Sequence, residues 1–135
     1  MTAETGQESR CYDRPMSSAS LHLACLCAAW CRLCDDYRPL LQQLETEFSS
    51  ILPDLQWHWI DIEEEAELVG DLDVETFPTI VILDAEQVRF AGPLTPQAET
   101  LRRLLRATLQ DVDPARVWPA VDAEFEAFAT RLRLR

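Results

Sequence analysis

Apolar and polar positions change period several times along this chain, and each change predicts a new element. Residues 21–27 are apolar with little interruption, as in a strand that is covered on both faces. Between Leu33 and Phe48, apolar residues recur at the 3.6-residue period of a helix, and Pro39 predicts a kink inside it. The pattern therefore opens with a buried strand followed by an amphipathic helix.

The middle of the chain repeats this order and then predicts a hairpin. Residues 55–62 predict a second strand, and the acidic residues 63–73 predict a short surface helix. Residues 79–83 are β-branched or leucine throughout and predict a third strand. A turn at residues 84–86 leads into a returning strand at residues 87–91.

Two helix-start signals follow this hairpin. Gly92-Pro93 breaks the strand pattern, after which Thr95 and Pro96 fit an N-cap and a first helical residue. Asp113-Pro114 repeats the signal and predicts a last helix over residues 114–132. The expected buried side chains are Leu101, Leu104, Leu105 and Leu109 in the first helix and Val117, Val121, Phe125, Phe128 and Leu132 in the second.

Alternating strands and helices predict an α/β fold with a largely parallel sheet, helices on both faces and one antiparallel hairpin strand. A chain of 135 residues forms a single domain with a core of its own. We expect a flexible polar arm at residues 1–18, the domain at 19–112, and an additional C-terminal helix at 113–135 that packs on it.

Charge and hydropathy exclude several kinds of partner. The formal net charge of −12 argues against nucleic acid, because phosphate binding needs a basic surface. No stretch reaches the ~18 apolar residues that a membrane helix needs, and no secretory signal is evident. The expectation is a cytoplasmic protein with neither a nucleic-acid nor a membrane partner.

Cysteine spacing points to the chemistry. Four of the five cysteines, Cys25, Cys27, Cys31 and Cys34, fall within ten residues, which indicates a local redox or metal site rather than a stapled fold. Cys31 lies where the first strand gives way to a helix, and a helix N-terminus favours a thiolate there. Cys34, one turn later, would lie beneath it and resolve a mixed disulfide.

Several segments together carry a family resemblance. Residues 29–34 (AWCRLC), Pro39, residues 60–68 (IDIEEEAEL), residues 76–79 (TFPT) and Gly92 resemble landmarks of the thioredoxin superfamily in their order and separation. The resemblance extends from about residue 21 to residue 110. It implies a thioredoxin-like fold with a central four-stranded mixed sheet flanked by helices, without the first strand and helix of full thioredoxins.

The resemblance also assigns roles to residues. It implies a thiol:disulfide oxidoreductase acting on protein disulfides, with Cys31 as nucleophile and Cys34 as resolving cysteine. Pro78 would be cis and would pack against the cysteine pair, while the backbone of Phe77 would pair with an extended substrate. Trp30 would form part of the docking surface. Arg32 adds a positive charge that favours the Cys31 thiolate.

One departure from the family concerns the proton acceptor. The positions of the family's buried aspartate and its neighbouring lysine are taken here by Cys25 and Trp59, so Cys25 is a candidate auxiliary thiol. No tightly bound cofactor or metal is expected. The partners would be protein thiols or disulfides and a cellular reductant such as a thioredoxin reductase or glutathione.

Two alternatives remain open at this stage. One is a non-catalytic interaction module that docks partners through the surface around Trp30 and Pro78. The other is a protein whose four clustered cysteines hold a metal; against it, a strand CxC is not expected to converge with a helix-starting CxxC. For Cys25 and Cys27, core packing on one face of the strand competes with a relay to Cys34. The remaining polar and aromatic candidates are interpreted as structural or solvated: Cys11, His22, His58, Trp57, Trp59 and residues 63–67.

Overall fold

The computed structural model describes residues 21–70, 72, 78–110, 112–113 and 115–135. The predictions that concern the arm at residues 1–18, Cys11, Phe77 and the missing first strand and helix lie outside these residues. Four strands and four α-helices make up the described part: β1 (His22–Cys27), α1 (Arg32–Phe48), β2 (Gln56–Asp61), α2 (Ala66–Val69), β3 (Thr79–Leu83), β4 (Val88–Pro93), α3 (Ala98–Leu105) and α4 (Ala123–Arg133).

The four strands form one mixed sheet in the order β2-β1-β3-β4. β1 runs parallel to β2 and antiparallel to β3, and β3 and β4 form the antiparallel hairpin. Every residue of β1 and β3 is buried, in agreement with their uninterrupted apolar sequence. The predicted α/β fold with a four-stranded mixed sheet is therefore confirmed. The expectation of a largely parallel sheet is wrong, because β3 runs antiparallel to β1 as well as to β4.

Alternation along the strands divides the core between the two faces of the sheet. On one face Leu23, Cys25 and Cys27 of β1 pack with α1 and α3. On the other face Ala24 and Leu26 pack with residues of α2 and α4. The four clustered cysteines and the C-terminal helix consequently lie on opposite sides of a single sheet.

The C-terminal region differs from its prediction in where the helix begins. α4 begins at Ala123, not at residue 114, and Val117, expected to be buried, is 87% exposed. Pro119 explains the difference, since a proline inside a helix removes a backbone donor and clashes with the preceding turn. Trp118 instead anchors the connecting segment, buried between the guanidinium groups of Arg89 and Arg116, at 5.2 and 4.2 Å from its ring.

The boundaries after the hairpin also differ. β4 continues to Pro93, and α3 begins at Ala98 with Gln97, rather than Thr95, at its N-cap. Continued pairing of β4 with β3 carries the extended backbone through Gly92, which delays the helix. The end of α3 widens into a π-helical turn, Arg106–Gln110.

Helix α4 is tied to the domain by apolar packing and by arginine. Phe128, Ala129 and Leu132 are fully buried against the second face of the sheet. The guanidinium of Arg131 donates to the carbonyl oxygens of Leu68 and Val69, at 2.7 and 2.8 Å, and thereby satisfies the C-terminal end of α2. The additional helix thus packs on the domain. No described helix has the length and apolar character to cross a membrane.

Candidate active site

Cys31 lies at the junction of strand and helix that its sequence context predicted. β1 ends at Cys27, a short turn follows, and Cys31 is the N-cap residue of α1, with its amide donating to the carbonyl of Ala28 at 3.0 Å. Cys31 is 8% exposed, whereas its neighbours Trp30 and Leu33 are 69% and 49% exposed. Cys31 is therefore largely covered, while both of these apolar neighbours are exposed.

Cys34 lies one turn further along α1 and is 1% exposed. It packs in one buried cluster with Cys27, Ala28 and Cys31. Burial is the main reason that the pKa of Cys34 is raised, and the hydrogen bond with Cys27 raises it further. One cysteine is thus near the surface and the other is buried and protonated, as a nucleophile and a resolving thiol require.

Cys25 and Cys27 extend the thiol cluster into the sheet. Their sulfurs are 3.4 Å apart on the face that α1 covers. The hydrogen bond with Cys25, followed by burial, strongly raises the pKa of Cys27. α1 folds back over the end of β1, so that Cys34 and Cys27 lie in the same buried cluster and line the same cleft.

This convergence does not produce metal-binding geometry. Among the described residues there is no group of three or more His, Cys, Asp or Glu side chains placed to hold a metal ion. All four cysteines in the described part of the chain are free thiols. All four belong to one buried cluster on the face of the sheet that α1 covers.

Pro78 lies at the same end of the sheet, just before the strand that neighbours β1. It directly precedes β3, whose first residue, Thr79, pairs with Leu26 of β1. Continuing this antiparallel register brings Pro78 beside Cys27, at the sheet edge where the cysteine pair lies. Pro78 is buried, and its carbonyl accepts a hydrogen bond from the amide of Leu94.

A cleft of about 470 Å³ reaches the buried thiols from the side. Cys27 and Cys34 lie at its inner wall, and Arg38, placed 5.0 Å above the ring of Trp59, closes one end. Trp59 is half-buried rather than a core residue because it lines this cleft. The other polar lining residues are carboxylates: Asp35, Asp61, Glu64 and Glu65.

Sequence reasoning missed these carboxylates as part of the site, having interpreted residues 63–67 as a solvated face. The strand pairing brings Asp61 to the site, since Cys27 and Asp61 end neighbouring parallel strands and are register partners. In the same register Cys25 lies opposite Trp59, the two positions where the family resemblance expects an aspartate and a lysine. The carboxylates that line the cleft with Cys34 are Asp35, Asp61, Glu64 and Glu65.

The two histidines are paired, which the sequence did not reveal. His22 Nδ1 and His58 Nε2 are 2.9 Å apart and the rings stack. Burial, the neighbouring His22 and the charge of Arg135 lower the pKa of His58 to about 4. Burial and the charge of Arg133 lower the pKa of His22. His22 begins β1 and Cys27 ends it, so this pair lies at the other end of the strand from the thiol cluster.

Comparison with known proteins places this geometry in context. A family model described as Thioredoxin matches residues 5–107. The thioredoxin of Trypanosoma brucei brucei is 24% identical with a TM-score of 0.54, over 68% of this chain and 77% of that chain. Deadhead, a germline-specific thioredoxin of Drosophila melanogaster, is 21% identical with a TM-score of 0.55, over 64% and 79%.

A third solved structure, described as a malarial protein, is 17% identical with a TM-score of 0.57, over 67% of this chain and 98% of that chain. At these identities the structural likeness concerns the fold alone. No curated protein matches the chain.

Proposed function

Since the chain belongs to the thioredoxin family, we propose that it is a thiol:disulfide oxidoreductase that acts on protein disulfides through Cys31 and Cys34. The observation that carries this proposal is the pairing of a near-surface thiol at a helix N-cap with a buried thiol one turn later. The four N-terminal amides of a helix lack intrahelical partners, and the helix dipole favours an anion there. Both effects favour the thiolate, which is the form of cysteine that attacks a disulfide.

The first step is an exchange at Cys31. Its thiolate attacks one sulfur of a substrate disulfide, a bond forms between Cys31 and that sulfur, and the other substrate sulfur leaves as a thiolate. In the second step Cys34 loses its proton and attacks the Cys31 sulfur. The Cys31–Cys34 disulfide forms and the substrate leaves fully reduced, so that the protein has lost the two electrons that the substrate gained.

The Cys34 proton needs an acceptor, because burial keeps this thiol protonated. We assign that role to the carboxylates of the cleft, which Cys34 and Asp35 both line. Water in the cleft would carry the proton over the remaining distance. This arrangement replaces the buried aspartate of the family with groups at the side of the thiol pair.

Substrate docking uses the surface around the cysteines. The exposed side chains of Trp30 and Leu33 offer apolar contact on either side of Cys31, and Arg32 lies exposed between them. Phe77 and Pro78, which precede β3, would present backbone to an extended substrate segment, as in strand addition. A cellular reductant such as a thioredoxin reductase or glutathione would return the two electrons, in the cytoplasm.

The test is a titration of the purified protein against glutathione, with thiols counted by mass spectrometry. We expect a reversible two-electron couple that involves Cys31 and Cys34. Cys34→Ser should accumulate a mixed disulfide with a disulfide-bonded substrate, whereas Cys31→Ser should form none with it. A protein in which no such couple forms would be an interaction module instead. Thiols that react only after chelation of a metal would identify a metal protein.

A further inference from the structure

The proposed reaction uses Cys31 and Cys34, and it leaves unused a third cysteine, Cys27, that lines the same cleft as Cys34. We propose that Cys27 is a third redox thiol, which exchanges with the Cys31–Cys34 disulfide to leave Cys34 bonded to Cys27 and Cys31 free. This inference rests on the proposed disulfide chemistry of Cys31 and Cys34. It adds to that chemistry a second oxidised form, in which the surface thiol remains available.

Contact decides which sulfur Cys27 attacks. Cys34 packs in the same buried cluster as its two potential disulfide partners, Cys27 and Cys31. Cys27 and Cys34 are both buried, at 2% and 1% exposure, and line the same cleft. Proximity of this kind gives an intramolecular reaction a high effective concentration.

The exchange is balanced without an added oxidant. Cys27 loses its proton to the cleft, and its sulfur attacks the Cys34 sulfur. The Cys27–Cys34 bond forms, the Cys31–Cys34 bond breaks, and Cys31 leaves as a thiolate, which takes up a proton. Cys31 is the better leaving group because its thiolate lies at the N-terminus of α1, where the helix dipole favours negative charge.

Cys25 is a poorer partner for Cys27 despite the 3.4 Å between their sulfurs. Residues two apart in a strand have Cα atoms ~6.6 Å apart, near the upper limit of ~6.8 Å for a disulfide. Both neighbours of β1 are hydrogen-bonded to it along its length, which leaves the strand no freedom to shorten this distance. Cys27, by contrast, ends the strand and is followed by a turn that can adjust to Cys34.

The hydrogen bond with Cys25 and burial both raise the pKa of Cys27, so the exchange should be slow at neutral pH and faster as the pH rises. The Cys31–Cys34 disulfide would form first and the Cys27–Cys34 disulfide would follow. An oxidised protein would therefore recover a reactive surface thiol with time.

Cys31→Ser, in a Cys11→Ser background, isolates this bond. After oxidation with glutathione disulfide, we expect Cys34 to be joined to Cys27. Digestion with trypsin allows the cross-link to be assigned by mass spectrometry, because trypsin cleaves after Arg32 and so places Cys34 on a different peptide from the other cysteines. The cross-link should be lost on adding Cys27→Ala and retained on adding Cys25→Ala, the matched control in the same strand.

Two outcomes would overturn the inference. One is a Cys31→Ser protein that carries only glutathione on Cys34; the other is a cross-link that survives Cys27→Ala. Cys27→Ala with Cys31 intact keeps the two proposals apart, since it must still form the Cys31–Cys34 disulfide if the proposed function holds. A thermal melt of each variant confirms that the core has tolerated the change.

Discussion

At the scale of single residues, two consecutive aspartates differ in their position relative to the cleft beside Cys34. Asp35 lines the cleft and Asp36 does not, although both are exposed and consecutive in α1. If Asp35 helps to accept the Cys34 proton, Asp35→Asn should slow the resolution of a mixed disulfide on Cys31 several-fold, with Asp36→Asn close to wild type. The measurement is the rate of glutathione release from protein glutathionylated at Cys31.

Equal rates in the two variants would remove Asp35 from the mechanism and leave Asp61 and Glu64 as the acceptors to be tested next. A pH profile adds information that a structural effect would not provide. With Asp35 as acceptor, the loss should shrink as the pH rises, because hydroxide then takes the proton in its place.

The histidine pair makes stability depend on pH. Folding lowers the pKa of His58 to about 4 from an ordinary value of 6.5, and it lowers that of His22 as well. As the pH falls, these histidines therefore bind protons in the unfolded chain before they do so in the folded protein. The free energy of unfolding should consequently fall as the pH drops from 6.5 towards 4. Full linkage is ~1.4 kcal/mol per pH unit for one proton, and we expect about half of this at a half-buried ring.

Urea denaturation between pH 5 and 7 measures this slope. His58→Gln should flatten it, because it removes the ring whose pKa folding lowers to about 4. A slope that is unchanged in His58→Gln would mean that carboxylates, and not the histidine pair, set the acid sensitivity.

At the scale of elements, the junction of α2 and α4 depends on a glycine. Gly70 has a φ of +62°, and a Cβ there would lie 2.6 Å from Nη2 of Arg131. Gly70→Ala should destabilise the fold by about 2–4 kcal/mol, because it adds backbone strain and displaces the guanidinium that satisfies the end of α2. Gly92→Ala is the matched control, since its Cβ would meet only Phe90, at 3.6 Å.

Thermal unfolding of both variants checks this prediction. The Gly92 variant should remain within about 0.5 kcal/mol of wild type. Comparable losses in the two variants would show that the contact between Arg131 and α2 contributes little.

Strands and helices with strong periodicity could be predicted from the sequence, and their ends could not. β1, β3 and α1 follow directly from residues that share one period. The predicted start of α4 is wrong because Asp113-Pro114 has the local signature of a helix start, whereas the helix begins after its N-cap residue Asp122, beyond Pro119. Trp118 is held there by Arg89 of β4, and such a long-range contact leaves no local pattern in the sequence.

The candidate site shows the same division. The CxxC pair could be assigned from its strand-to-helix context, which is local. Contact between Cys27 and Cys34, the approach of Asp61 to the cleft and the pairing of His22 with His58 all require the sheet register and the angle of α1. None of these is encoded in the spacing of residues along the chain.

At the scale of the whole molecule, one sheet separates the redox site from the added helix. The cysteines lie on the face covered by α1 and α3, and Phe128 of α4 is fully buried on the other face. Phe128→Ala should therefore cost about 3–5 kcal/mol of stability, as for other buried aromatic side chains, and leave the redox midpoint of Cys31 and Cys34 unchanged. Phe125→Ala, at a half-buried position of the same helix, should cost less.

The stability is measured by urea denaturation and the midpoint by titration against glutathione, both at a temperature where each variant remains folded. A cooperative loss of all structure in a single transition would mean that α4 is an integral part of the domain, since a separable appendage would melt alone. A shift of the midpoint in Phe128→Ala would contradict the separation. It would show that a change in packing on the α4 face alters the thiols through β1. Leu26 and Cys27 are consecutive residues on opposite faces of that strand.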